Sequence, residues 1–128
     1  MIKIMNLHGI KMLKEIAENK GISLIDCETN DKYIEAWDVS DLINKSYIIG
    51  NNEIVLGIYD DPEKRIASFF HEIGHTLVSQ QSIKRVKYDT LKIEKLAWKK
   101  GYDIAKFYGI KFSKDIKEWA AEQILTYK

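Results

Sequence analysis

The stretch Ile66-Ala67-Ser68-Phe69-Phe70-His71-Glu72-Ile73-Gly74-His75-Thr76-Leu77 decides how this chain folds. Its apolar residues recur at spacings of four, three and four, which predicts a helix with one buried face. The residues of that face are Ile66, Phe70, Ile73 and Leu77. Two imidazoles four residues apart, those of His71 and His75, project from neighbouring positions about 40° apart on such a helix. The chain has three histidines in all, and two of them lie here.

Glu72 stands between these histidines and completes the pattern HExxH. The two imidazoles can hold zinc while Glu72 stays free to accept a proton from a water at the metal. The alternative is that both histidines are satisfied core residues and that Gly74 only accommodates packing. Burying two imidazoles and a carboxylate without partners is costly, and a metal supplies the partner. Because glycine costs about 1 kcal/mol relative to alanine inside a helix, Gly74 also indicates that something approaches closely there.

A catalytic zinc ion needs a third protein ligand, and Glu94 is the predicted one. The remaining histidine, His8, precedes a different helix and is the poorer candidate. Residues 90–108 have helical periodicity and end at Gly109. Glu94 falls about 200° from Lys92 on a helical wheel, in the middle of the apolar stripe. That stripe holds Ala97, Trp98, Gly101, Ala105 and Tyr108. A glutamate on a buried face seldom lacks a partner, and a zinc ion held by His71 and His75 would be such a partner.

Glu94 has two rivals for the third ligand position, and its burial has a second possible cause. Asp89, near the start of the same helix, and Asp103, on its polar face, are the weaker candidates for the ligand. An ion pair between Glu94 and Arg85 or Lys64 would also account for a buried carboxylate.

The segment His71-Glu72-Ile73-Gly74-His75-Thr76-Leu77, followed by Glu94-Lys95-Leu96-Ala97, resembles the gluzincin class of zinc metallopeptidases. That class pairs HExxH with a downstream glutamate. The small size and the HExGHxL form look most like the ImmA/IrrE-type peptidases of bacteria and their mobile elements. The resemblance covers residues from about 51 to 98 and implies a zincin-like domain. It further implies an intracellular peptidase, which in several members cleaves a transcriptional repressor or antitoxin. The chain departs from those peptidases after Glu94, where it continues Trp98-Lys99-Lys100-Gly101-Tyr102.

The whole chain, residues 1–128, is predicted to form a single α+β domain. We expect a short antiparallel sheet in the N-terminal half, packed against the HExxH helix and two further C-terminal helices. Asp61 and Pro62 open the HExxH helix as N-cap and first residue, and Ser113 caps the last helix. The other predicted elements are a helix at 8–20, strands at 22–26, 33–37, 46–49 and 54–59, and a turn or short helix at 38–44.

Two further features bear on mechanism. If residues 53–59 form the sheet edge nearest the metal, an extended peptide substrate could add to that edge through backbone hydrogen bonds. The alternative is an ordinary interior strand. A tyrosine could stabilise the oxyanion, with Tyr127 and Tyr59 as candidates among seven tyrosines.

Composition restricts the partners. Cys27 is the single cysteine, so no internal disulfide can form, which is typical of a reducing compartment. No secretory leader or membrane-length apolar run is recognisable, and we expect a cytoplasmic protein with no membrane partner. Charge is uneven, at −8 over residues 26–63 and +6 over residues 82–128. Lysines along a polar helix face are ordinary solubilising residues, so nucleic-acid binding is not predicted.

The sequence therefore predicts a zinc metallopeptidase that acts on a protein or peptide substrate, with one zinc ion per chain. His71, His75 and Glu94 are the expected metal ligands and Glu72 the expected catalytic residue. The alternative from another class is a non-hydrolytic zinc-binding regulatory or interaction domain. Hydrolysis of a non-peptide amide is a third possibility. The sequence does not predict the oligomeric state.

Overall fold

The computed structural model describes residues 7–27, 43, 45–49, 52–86 and 90–125, and over these residues the chain is α+β. Four helices and three short strands make up the described part. In chain order they are α1 (Leu7–Asn19), β1 (Ser23–Asp26), β2 (Tyr47–Ile49), β3 (Glu53–Leu56), α2 (Pro62–Val86), α3 (Thr90–Phe107) and α4 (Lys114–Leu125). No helix in these ranges is long and apolar enough to span a membrane.

The chain divides into two compact units, residues 1–69 and 70–128, and the boundary falls inside α2. The first unit contains α1, the sheet and the first turns of α2. The second contains the rest of α2 with α3 and α4. A single domain over residues 1–128, and the packing of the sheet against the C-terminal helices, stay predictions.

The sheet of the first unit has the order β1-β3-β2, which corrects two expectations. β2 and β3 pair antiparallel, as expected, but β1 and β3 run parallel. The sheet is therefore mixed rather than antiparallel. β3 is also its central strand, so the backbone groups of residues 53–56 already serve two neighbours. Addition of a substrate strand to β3 is excluded, and the interior-strand alternative is correct.

The capping residues read from the sequence lie at the helix ends in the structure. The backbone N–H of Glu63 donates to Asp61 Oδ1 at 2.8 Å, which confirms Asp61 as the N-cap of α2. Ser113 Oγ accepts from the backbone N–H of Ile116 at 3.3 Å at the start of α4. Gly21 and Gly109 follow α1 and α3 with φ values of 73° and 78°, the left-handed conformation that glycine adopts without steric cost.

Among the described residues, the core of the first unit is mostly apolar and contains a buried ion pair. Asp26, the last residue of β1, forms an ion pair with Arg65 on the first turns of α2, and both side chains are at most 3% exposed. Burial lowers the pKa of Arg65 to about 10, which leaves its guanidinium charged at neutral pH. The apolar members of this core include Leu13, Ile16, Cys27, Ile54, Val55, Leu56, Ile66 and Phe69.

The second unit is built around aromatic rings. Phe70 of α2 meets Phe112 edge-on with ring centroids 6.4 Å apart, and Tyr102 lies 5.7 Å from the same ring. Trp98 of α3 is 3% exposed and meets Trp119 of α4 edge-on at 6.1 Å. Ile73, Ala97, Ala105, Ile116 and Ala120 complete the buried set.

Several expectations fall outside the described residues. The strand at 33–37, most of the turn or short helix at 38–44, Asp89 and Tyr127 belong to this group.

Candidate metal centre

α2 presents both histidines of the HExxH pattern on one side. The ring centroids of His71 and His75 are 4.5 Å apart. Their side chains are 11% and 20% exposed, so both are mostly withdrawn from solvent. The buried stripe was placed correctly at Ile66, Phe70 and Ile73, which are at most 2% exposed, whereas its fourth member, Leu77, is only partly buried.

α3 reaches this face because two glycines remove the side chains that would hold the helices apart. A Cβ at Gly74 would overlap the carbonyl oxygen of Ala97, and one at Gly101 would overlap the carbonyl oxygen of Phe70. The close approach expected at Gly74 is therefore confirmed, and its partner is the backbone of α3. Glu94 lies three residues before Ala97 and seven before Gly101, on the same helix face. The crossing thus brings its carboxylate to the histidines.

Glu94 joins the two imidazoles. Its Oε1 lies 2.8 Å from His71 Nε2, and its Oε2 lies 2.9 Å from His75 Nε2. Its side chain is 7% exposed, in agreement with its predicted place in the apolar stripe. The structure therefore brings together His71, His75 and Glu94, the three residues expected to bind the metal.

The donor set is of the kind that binds zinc, and its atoms lie close together. Two imidazole nitrogens and one carboxylate oxygen are ligands that catalytic zinc sites use. The candidate atoms of His71, His75 and Glu94 lie within 4.8 Å of one another. In tetrahedral zinc sites with bonds near 2.1 Å, neighbouring ligand atoms are about 3.4 Å apart. The two contacts of Glu94 with the imidazoles, at 2.8 and 2.9 Å, would widen by about 0.5 Å to meet that spacing.

The charges of the cluster depend on one another. Burial opposes ionisation of Glu94, but hydrogen bonds from His71 and His75 outweigh it and hold its pKa at about 2. For His71, burial is the largest influence and lowers the pKa despite the hydrogen bond to Glu94. For His75, burial also acts to lower the pKa, but Glu94 and Glu72 together outweigh it and raise the value. The more exposed histidine is therefore the one that holds a proton more readily.

Glu72 lies beside the cluster without being one of its ligands. Its Oε2 is 3.4 Å from His71 Nδ1, longer than an ordinary hydrogen bond. Burial raises the pKa of Glu72 to about 8, so without a nearby cation this carboxyl is largely protonated at neutral pH. A carboxyl that stays close to the ligands yet unattached is suited to exchange protons.

The structure tests only some of the alternatives that the sequence left open for Glu94. Asp103 is exposed and does not join the cluster. Lys64, one of the proposed ion-pair partners, lies 3.7 Å from Asp60. Asp89 and the side chain of Arg85 are outside the described part.

The two tyrosine candidates for the oxyanion role gain no support. Tyr59 is buried in the first unit, where its hydroxyl lies 2.9 Å from Ser46 Oγ in a hydrogen bond. Tyr127 is not among the described residues.

Sequence reasoning missed an aromatic side chain that stacks on His71. The Trp98 indole stacks on the His71 imidazole with centroids 4.2 Å apart and planes only 6° apart. In the sequence Trp98 is one more member of an apolar stripe, as expected of any core tryptophan. Its position four residues after Glu94 was the available signal, since residues i and i+4 of a helix share a face.

Comparisons of the chain with protein-family models, with curated proteins and with solved structures found no match.

Proposed function

We propose that this chain is a zinc-dependent metallopeptidase of the cytoplasm that cleaves a protein or peptide substrate. The observation that carries the proposal is the convergence of His71, His75 and Glu94 beside the unattached carboxyl of Glu72. A purely structural zinc site has no need of a carboxyl in that position. The gluzincin resemblance supports the same activity and suggests a repressor or antitoxin of a mobile element as substrate.

Each residue has a separate role in this proposal. His71, His75 and Glu94 would hold one zinc ion, which when bound acidifies water and polarises a peptide carbonyl. Glu72 would accept a proton from the attacking water and deliver it to the leaving amine. Glu94 is held in its charged form, so it can offer a carboxylate to a cation without first losing a proton.

Glu72 supplies the test of the enzymatic role. Glu72→Gln keeps the size and polarity of the side chain but cannot accept the proton. We expect this variant to bind zinc like the parent and to lose cleavage by at least about 100-fold. Glu118→Gln, a change at an exposed position of α4, is the matched control and should cleave like the parent.

The assay incubates zinc-loaded protein with the proteins encoded beside it and with unstructured synthetic peptides. Mass spectrometry then identifies new termini. Cleavage by Glu72→Gln at the parental rate would reject the proposed role of this residue.

The depth of the cluster favours a second candidate, a zinc-binding regulatory domain without hydrolytic activity. The side chains of His71, Glu72 and Glu94 are each at most 11% exposed, as in many structural metal sites. In that case the parent would bind zinc and show no more cleavage than Glu72→Gln in the same assay.

A further inference from the structure

We propose that Trp98 is a positioning residue that fixes the plane of the His71 imidazole, so that its Nε2 faces the metal position. This inference rests on the proposed zinc site and extends it beyond the three ligands. The carrying observation is the parallel stack of the two rings, with centroids 4.2 Å apart and planes 6° apart.

The stack restricts the one torsion that a histidine leaves loosely defined. The second side-chain torsion of histidine is broad because it joins a tetrahedral carbon to a flat ring. An imidazole lying flat on an indole cannot turn about that bond without lifting its edge off the indole or driving it into the indole. The stack therefore fixes the plane of the ring, and the contact of Nε2 with Glu94 Oε1 at 2.8 Å selects which edge of the ring faces the cluster.

The Trp98 indole can restrict the imidazole because neighbouring side chains hold the indole itself in place. Trp98 is 3% exposed. Tyr102, one turn further along α3, lies 5.7 Å from it, and Trp119 of α4 closes on it edge-on at 6.1 Å with planes 89° apart. Rings from two helices thus hold Trp98, and through it α4 contributes to the metal centre.

Among the described residues, no hydrogen bond to Nδ1 orients the His71 ring. Metal-binding histidines commonly donate their second ring N–H to a carboxylate or a carbonyl oxygen. Here Glu72 Oε2, the nearest carboxylate oxygen in the described part of the chain, lies 3.4 Å from His71 Nδ1. If Glu72 were drawn into that hydrogen bond, it would be less free to exchange protons. Stacking by Trp98 orients the imidazole and leaves the carboxyl of Glu72 unattached.

The indole also carries a polar atom that simple packing does not explain. Trp98 Nε1 is buried and, among the described residues, has no hydrogen-bond partner. Buried donors are nearly always satisfied, so a phenylalanine would fill an ordinary core position without leaving an orphaned N–H. The wider indole covers more of an imidazole face than a phenyl ring does, which is consistent with retention of tryptophan for the stack.

The test compares Trp98→Leu, Trp98→Phe and Phe112→Leu. Leucine removes the flat face, phenylalanine keeps a smaller one, and Phe112→Leu removes a buried aromatic ring that contacts Phe70 and Tyr102. Zinc affinity is measured by competition with a chromophoric chelator at pH 7.5. We expect about 10- to 100-fold weaker binding for Trp98→Leu, the usual effect of losing an orienting contact. Trp98→Phe should fall between the parent and Trp98→Leu, and Phe112→Leu should remain within about threefold of the parent.

A second measurement reports the stack without any metal. In metal-free protein the indole ring current should shift the ring carbon-bound protons of His71 upfield in an NMR spectrum that contains three histidines. Trp98→Leu should remove this shift, and Phe112→Leu should keep it. Circular dichroism and thermal melts establish that each variant is folded. If Trp98→Leu does not fold, Trp98→Met replaces it, and failure of both to fold would overturn the proposal by making Trp98 a requirement of the core.

The outcomes separate this inference from the proposed function. A parent that shows the ring-current shift but binds no zinc would reject both the zinc site and this role of Trp98, while leaving the stacked geometry standing. A parent that binds zinc as tightly as folded Trp98→Leu would reject the positioning role alone.

Discussion

Gly74→Ala sets two effects of opposite sign against each other at the crossing of α2 and α3. Alanine is favoured over glycine inside a helix by about 1 kcal/mol. Against that gain, a Cβ at position 74 would overlap the carbonyl oxygen of Ala97 and lie 2.8 Å from its carbonyl carbon. Ordinary contact begins at 3.4 Å, so the helices must part by at least the difference of 0.6 Å.

The steric cost should exceed the gain in helix propensity, because the new Cβ would overlap the backbone of Ala97. A carbonyl group inside a helix cannot rotate aside as a side chain can, so we place the cost near the upper end of the 1–3 kcal/mol typical of overpacking. Subtracting the propensity gain leaves a net loss of about 2 kcal/mol. For 128 residues at about 2.1 cal/mol/K each, the unfolding entropy is about 0.27 kcal/mol/K, and Tm should fall by about 7 °C.

The assay is thermal unfolding of the metal-free protein, followed by circular dichroism in the presence of a chelator. Gly109→Ala serves as the comparison, because position 109 has open space around it but a φ of +78°. It should cost about 1–2 kcal/mol without displacing Glu94 from the histidines, so zinc affinity should fall only in Gly74→Ala. A Gly74→Ala protein that melts about 4 °C above the parent would show that helix propensity alone acts there, and would refute the close crossing.

Three other predictions concern different parts of the chain. Asp26→Asn removes the charge that faces buried Arg65 and should lower the free energy of unfolding in urea by about 3–5 kcal/mol. Asp60→Asn, at a position 76% exposed, should change it by less than about 1 kcal/mol, and equal effects would contradict the account. Burial raises the pKa of the Cys27 thiol, so a thiol reagent at pH 8 should label it only after unfolding, and rapid labelling of native protein would be inconsistent with that position. Zinc binds a neutral imidazole, and Glu94 and Glu72 raise the pKa of His75. Below that pKa zinc must displace one proton from His75, so zinc affinity should fall by about tenfold for each unit that the pH drops. A zinc affinity that stays constant from pH 8 to 5 would argue against His75 as a ligand.

Features that depend on local chemistry were predicted well. Asp61, Pro62 and Ser113 mark helix starts because a cap is satisfied within three residues along the chain. Glu94 was found because one polar residue in an apolar helical stripe breaks the periodicity that burial imposes. Gly74 indicated a close approach because glycine is unfavourable inside a helix, and this can be seen from the residue alone.

Features that depend on distant pairing were not predicted. The parallel register of β1 with β3 joins residues 30 positions apart, and alternation of apolar residues does not encode strand direction. The ion pair of Asp26 with Arg65 spans 39 positions, and in the sequence both are ordinary charged residues. The stack of Trp98 on His71 depends on the crossing angle of two helices, which periodicity does not supply.

Zinc stoichiometry of Glu94→Ala, beside that of the parent and of Asp103→Asn, tests the central claim most directly. All three proteins are purified without a metal-affinity tag, loaded with zinc, passed through a desalting column and analysed by mass spectrometry for bound metal. We predict one zinc per chain for the parent and for Asp103→Asn, whose changed side chain is exposed and outside the cluster, and little or none for Glu94→Ala. A full complement of zinc in folded Glu94→Ala, or none in the parent, would contradict the account.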